Sequence, residues 1–141
     1  MIHSVIKKVK AVLFCDAVRR EDNGKFIAIG CYGSSVVVHE FPVQLVLTPL
    51  IQCDLSKVEE LTGLSFKLSI SGSPASPKLE GQITTAKEEK NGLLPVGPFA
   101  IEVKRPGTLK LQLLSTDGVW ATIGSIPIVN AADLRRMEAV A

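Results

Sequence analysis

The cleanest alternation in the chain runs from Leu64 to Ser71, where Leu64, Phe66, Leu68 and Ile70 are interleaved with Ser65, Lys67, Ser69 and Ser71. Such a strand has one apolar face and one wet face. The stretch 9–17 reads differently. Leu13, Cys15 and Ala17 share one parity, Val12 and Phe14 the other, and a strand apolar on both parities is expected to be covered on both sides. Phe26, Ala28 and Tyr32 alternate with Ile27, Ile29 and Cys31 and leave equally little for water. Between these runs stands Asp22-Asn23-Gly24, suited to a tight reversal, so the pair reads as a β-hairpin and as the central element of the fold. A three-residue loop with glycine in the left-handed position sets Ala17 opposite Ile29 and Cys15 opposite Cys31, with both sulfurs on one face.

Val36, Val37 and Val38 form a short β-branched run, and Phe41-Pro42 breaks it. The stretch 43–51 alternates but contains Pro49, so its strand is expected to end near Thr48 or to lie at an edge with a bulge. Asp54 or Ser56 caps a short helix that Gly63 ends. Residues 71–77 are a loop by composition, 79–86 a short strand, and 87–98 a mobile stretch of the kind that carries binding contacts. A meander follows, with Phe99, Ile101 and Val103, then Leu109, Leu111 and Leu113, then Val119, Ala121 and Ile123 facing the core. A five-residue loop at 104–108 serves its first turn. A three-residue loop at 116–118 puts Leu113 opposite Ala121 and Leu111 opposite Ile123, with Trp120 on the other parity against Ser115. The tail 131–141 is a frayed helix capped by Asn130. The expected fold is all-β: an antiparallel, immunoglobulin-like β-sandwich of about eight or nine short strands with a short C-terminal helix, and a partly open barrel as the rival.

Composition narrows the class. The 141 residues are 46% apolar and 21% charged, enough for a single domain spanning 1–141 with a core that needs no metal or disulfide. Sixteen Lys+Arg against 14 Asp+Glu give no general attraction to polyanions, so nucleic acid is not implied. Lys7, Lys8 and Lys10, with Arg19 and Arg20, read as solvated protection of a sheet edge. Three cysteines without CxxC spacing favour a reducing compartment. With no secretory pattern at the start and no apolar run of the roughly 18 to 20 residues a spanning helix needs, the expectation is a cytoplasmic protein without a membrane partner.

No catalytic constellation assembles, and the chain is not expected to be an enzyme. Cys15, Cys31 and Cys53 fall in or beside apolar strands and read as inert thiols rather than as nucleophiles served by His39 or His3. A disulfide between Cys15 and Cys31 requires a non-hydrogen-bonded pair, and two small buried thiols are the expectation. Zinc-ligand spacing, EF-hand spacing and GxGxxG are all absent, so no metal and no cofactor are implied. Glu21-Asp22 and Glu88-Glu89 read as solvated turn acids. Asp16 differs, because it stands in a strand that looks buried and needs a partner there: Arg19, Arg20 or backbone donors near Gly30.

The run Phe14-Cys15-Asp16-Ala17-Val18-Arg19-Arg20-Glu21 through Gly24-Lys25, then Ile29-Gly30-Cys31-Tyr32-Gly33 and later Phe41-Pro42, resembles a family of small bacterial proteins of unknown function. The resemblance covers about the first third of the chain, with a weaker echo from 99 to 126. It implies a bacterial, β-rich protein and makes Cys15, Asp16, Arg19, Glu21, Gly24, Lys25, Gly30, Tyr32 and Pro42 the recurrent positions, but brings no activity. Ala17 stands where the family pattern has a second acid. The expected function is non-catalytic binding of a protein partner or of a second copy, through a sheet edge or the loops at one end. The alternative is a small-ligand or enzyme site using Asp16, Arg19, Glu21 and Tyr32, and a further alternative is a component of a phage-like particle.

Overall fold

A computed structural model of the protein describes residues 9–22, 25–54, 64–71, 78–81, 91–114 and 118–140. Among them are ten strands, β1 (Val9–Arg20), β2 (Phe26–Cys31), β3 (Val36–Val38), β4 (Val43–Asp54), β5 (Leu64–Ile70), β6 (Lys78–Gly81), β7 (Asn91–Pro95), β8 (Phe99–Val103), β9 (Gly107–Leu114) and β10 (Trp120–Asn130), and the helix α1 (Ala131–Val140). Two sheets form a β-sandwich. Sheet I has the order β2-β1-β4-β7, with β8 also on β4, and sheet II the order β3-β10-β9-β5-β6. Every pairing is antiparallel except that of β3 with β10, which is parallel.

Alternation places the core between the sheets. Phe14, Leu47, Ile51, Phe99, Ile101 and Val103 point inward from sheet I, and Phe66, Leu68, Leu109, Leu111, Leu113, Ile126 and Ile128 meet them from sheet II. The alternating strand read at 64–71 is β5, and its polar parity forms a hydrogen-bonded row on the outside. Ser69 Oγ donates to Gln112 Oε1 at 3.1 Å, and Gln112 Nε2 donates to Thr122 Oγ1 at 3.4 Å. Asn130 caps α1 as expected, its Oδ1 accepting from the Ala132 amide at 2.8 Å.

Pro49 does not end its strand. β4 runs on to Asp54 and is central, paired with β1 on one edge and with β8 and then β7 on the other. The Val96 amide donates to the Pro49 carbonyl at 2.9 Å. Because the nitrogen and carbonyl of one extended residue face the same edge, the Pro49 nitrogen also faces that edge. There it faces Val96, at the end of the β7 pairing and before the pairing of Leu47 with Phe99, so the missing N–H costs one bond at a ladder's end rather than one in its middle. β7 is the strand that the reading of 87–98 as a loop missed. Cys53 and Asp54 belong to β4; the rest of the expected helix lies outside the described residues, as do 82–86 of the strand expected at 79–86.

The hairpin has the expected register, Cys15 opposite Cys31 and Ala17 opposite Ile29, but not the expected place. β2 is an edge strand of sheet I, and β1 has a partner on both sides only around Cys15, since β4 runs beside residues 9–15 and β2 beside residues 15–20. From Asp16 onward every described residue of the hairpin is half-buried or exposed, so the element read as covered on both faces projects past the core. Apolarity on both parities reflects an uncovered outer face.

The meander is likewise split. β8 pairs β4 in sheet I while β9 begins sheet II, so residues 104–106 cross between the sheets and two inward-facing strands meet across the core. β9 and β10 pair as read, with Ala121 opposite Leu113. A bulge between Thr122 and Gly124 then brings Gly124, not Ile123, opposite Leu111. Trp120 pairs Leu114 rather than Ser115, and its half-buried ring lies under Lys67, whose Nζ is 4.3 Å from the centroid.

At the bulge the two sheets approach closely. A Cβ on Gly124 would sit 2.7 Å from the Cβ of Val12, closer than packed carbons approach. Gly124→Ala should therefore destabilise the fold by about 1–3 kcal/mol through overpacking. Gly33→Ala, where a Cβ meets nothing within 4 Å, should stay within about 0.5 kcal/mol. Urea unfolding of the two variants checks the difference.

Candidate functional site

The β1–β2 ladder positions the residues singled out in the sequence. The Tyr32 amide donates to the Phe14 carbonyl at 2.8 Å, which makes Cys15 and Cys31, enclosed by that bond, a non-hydrogen-bonded pair. Side chains come closest in such pairs, and the two Sγ atoms are 3.2 Å apart as free thiols. The expectation of two buried thiols holds for Cys15 alone; Cys31 is exposed, because β2 is an edge. Burial, and then the contact with Cys31, push the Cys15 thiol up to about 12.

One step along, Gly30 has φ 64°, in the left-handed region, and a Cβ there would collide with the carboxylate of Asp16. The absent side chain lets the Asp16 carboxylate lie over the backbone and accept a 3.0 Å hydrogen bond from the Tyr32 hydroxyl. Asp16 is exposed rather than buried, and Tyr32 is its partner instead of Arg19 or Arg20. Burial, followed by the hydrogen bond and charge of Asp16, push the Tyr32 phenol up to about 12.

Of the four candidates, then, Asp16 and Tyr32 meet, and the other two stand apart. Arg19 has the opposite parity, pairs Ile27 across the ladder and is exposed. Glu21 lies at the loop, its amide donating to the Lys25 carbonyl at 2.7 Å and its side chain exposed. Arg20 lies over the Phe26 ring, 5.7 Å from its centroid.

The larger feature was not singled out in the sequence. Of seven large apolar side chains exposed among the described residues, Leu13, Ile27, Ile29, Val46 and Leu93 lie on the outer face of sheet I. The register puts them there. Ile27 and Ile29 oppose Arg19 and Ala17 on the parity of Leu13, Val46 shares the parity of Leu50 opposite Leu13, and Leu93 opposes Gln52, which opposes Ala11. Cys15, Thr48 and Leu50 in the middle of this face are buried. The outer face of sheet II carries Ser65, Lys67, Ser69, Lys110, Gln112, Thr122 and Ser125 instead. The signal for the contrast was legible, since β5 is polar on one parity while β1 and β2 are apolar on both.

Among the described residues no three His, Cys, Asp or Glu side chains group as metal ligands would, and no helix is long and apolar enough to cross a membrane. No protein-family model, curated protein or solved structure matches the chain.

The Tyr32–Asp16 contact has a pH signature. The folded phenol titrates near 12 against an ordinary value of 10.0, so its contribution to stability is complete below pH 10 and is lost as pH rises through 12. Absorbance titration of Tyr32, the one tyrosine in the chain, should find that raised midpoint. Asp16→Asn should lower it only part of the way, because burial is the larger cause. A wild-type midpoint at the ordinary value would contradict the contact.

Proposed function

We propose that the protein is a non-catalytic β-sandwich that self-associates, a second copy docking on the outer face of sheet I. The observation that carries this reading is the unequal distribution of exposed apolar side chains, five of seven on that one face. Contiguous apolar patches of a few hundred Å² on a folded domain mark interaction sites. With strands about 4.8 Å apart and about 3.3 Å per residue along the twelve-residue β4, the face spans on the order of 600 Å² in projection. The exposed apolar part is a fraction of that, because Arg19, Gln44, Gln52 and Glu102 share the face and its centre is buried. It falls below the roughly 800 Å² per partner of a standard interface and fits a weak dimer. The five exposed side chains surround the buried Cys15, Thr48 and Leu50, and a two-fold dimer would bring this same surface of each copy together. A catalytic or small-ligand reading has less support, because Arg19 and Glu21 do not converge with Asp16 and Tyr32.

Sedimentation or light scattering from low micromolar to hundreds of micromolar should show a concentration-dependent dimer. Leu13→Asp with Ile29→Asp, which puts two carboxylates on the docking face, should weaken it at least about tenfold. Val119→Asp, exposed but off the face, should leave it unchanged. A strict monomer throughout that range overturns self-association, and equal weakening by Val119→Asp removes the face as its site.

A further inference from the structure

The thiol contact lies on the same outer face of sheet I, between Leu13 and Ile29, but rests only on geometry within one chain. Cys15 and Cys31 are the two members of one cross-strand pair, and their sulfurs are 3.2 Å apart before any bond is made. A disulfide needs about 2.05 Å between sulfurs and Cα atoms about 4.4–6.8 Å apart, a range that non-hydrogen-bonded antiparallel pairs satisfy. The backbone is therefore already set for the bond, and closing it asks for a sulfur displacement of about 1 Å. Access is divided as a two-step oxidation requires. Cys31 is exposed at the sheet edge, whereas Cys15 is sealed from solvent and reaches only its neighbours. Cys53 is buried in the core on the inner face of β4 and takes no part.

We propose that Cys15 and Cys31 are a reversible oxidation site, a dithiol that a peroxide closes to an intramolecular cross-strand disulfide. In the first step the Cys31 sulfur attacks a peroxide oxygen. The O–O bond breaks, Cys31 becomes a sulfenic acid and, with hydrogen peroxide, one water leaves. In the second the Cys15 sulfur attacks the Cys31 sulfur; the S–O bond breaks, and the hydroxyl departs with the Cys15 proton as a second water. The sulfur pair loses two electrons and the peroxide gains them. The raised Cys15 thiol is a poor first nucleophile, which leaves that role to Cys31 and the resolving role to Cys15. The bond would clamp the edge strand β2 to β1 midway between Leu13 and Ile29.

The test uses the folded full chain and hydrogen peroxide, followed by denaturation, alkylation and intact-mass measurement. The expected product has lost two hydrogens, keeps one alkylatable thiol of its three, and regains all three with dithiothreitol. Peptide mapping of the wild type should join the fragment holding Cys15 to that holding Cys31, a readout that needs no variant to fold. Cys31→Ser should abolish the product, and Cys53→Ala should retain it. Three free thiols after a dose that oxidises glutathione, over-oxidation of Cys31 with Cys15 still alkylatable, or a bond between chains would each overturn the site. The dimer measurement can fail without affecting this result, and the converse is also true.

Discussion

β4 has to hydrogen-bond along both edges while carrying a proline, and the layout of sheet I follows from how it does so. A central strand ordinarily excludes proline because one ladder donor is lost. Here the donor would have pointed at Val96, the last partner before β4 passes from β7 to β8, so the loss falls at the end of a ladder. The constraint thus divides the far edge of β4 into two short partners and lets it stay twelve residues long. Its near edge meets the first half of β1 from Val9 to Cys15, and β1 then runs on past the end of this pairing with only β2 beside it. A projecting hairpin is a geometric consequence of the offset between β1 and β4.

That offset explains which parts of the fold were legible. Where one parity is polar, as in β5, alternation alone names the buried face, and the structure agrees from Ser65 to Ile70. Register was legible too, since Asp22-Asn23-Gly24 fixes the loop length and with it the pairing of Cys15 with Cys31. Placement was not. Apolar residues on both parities of 9–17 and 26–32 are equally compatible with a covered central strand and with an apolar outer face, and only long-range pairing decides between them. The Pro49 break and the sheet crossing at 104–106 are non-local in the same sense, because each depends on which distant strand lies alongside.

The candidate site shows the same division. Asp16 demanded a partner when its strand was taken as buried, and charge complementarity suggested Arg19 or Arg20. Parity forbids Arg19, which stands on the other face of the strand from Asp16. The partner is Tyr32, made reachable by the left-handed Gly30, a backbone state that sequence alone does not disclose. The contact ties Tyr32, the residue that follows the edge strand β2, back to Asp16 of β1 just before Gly33.

Protection of the sheet edge bears on the outer face as well. Lys7, Lys8 and Lys10, with Arg19 and Arg20, read as shielding an edge, and Lys10 does lie where β1, with β4 on one side and no described strand on the other, is locally an edge. β2, an edge strand of sheet I, has the sequence Phe-Ile-Ala-Ile-Gly-Cys and carries no charge at all. Natural edges are usually blunted by lysine, proline or a bulge, because an apolar strand with open hydrogen-bonding groups pairs with whatever strand it meets. Gly30 supplies a local twist, but Ile27 and Ile29 remain exposed beside it. An edge of this composition is a liability for a solitary monomer and an asset for a surface meant to be occupied. The absence of charge on β2 and the exposed apolar side chains of sheet I fall on one side of the sandwich, the side on which the proposed second copy would dock.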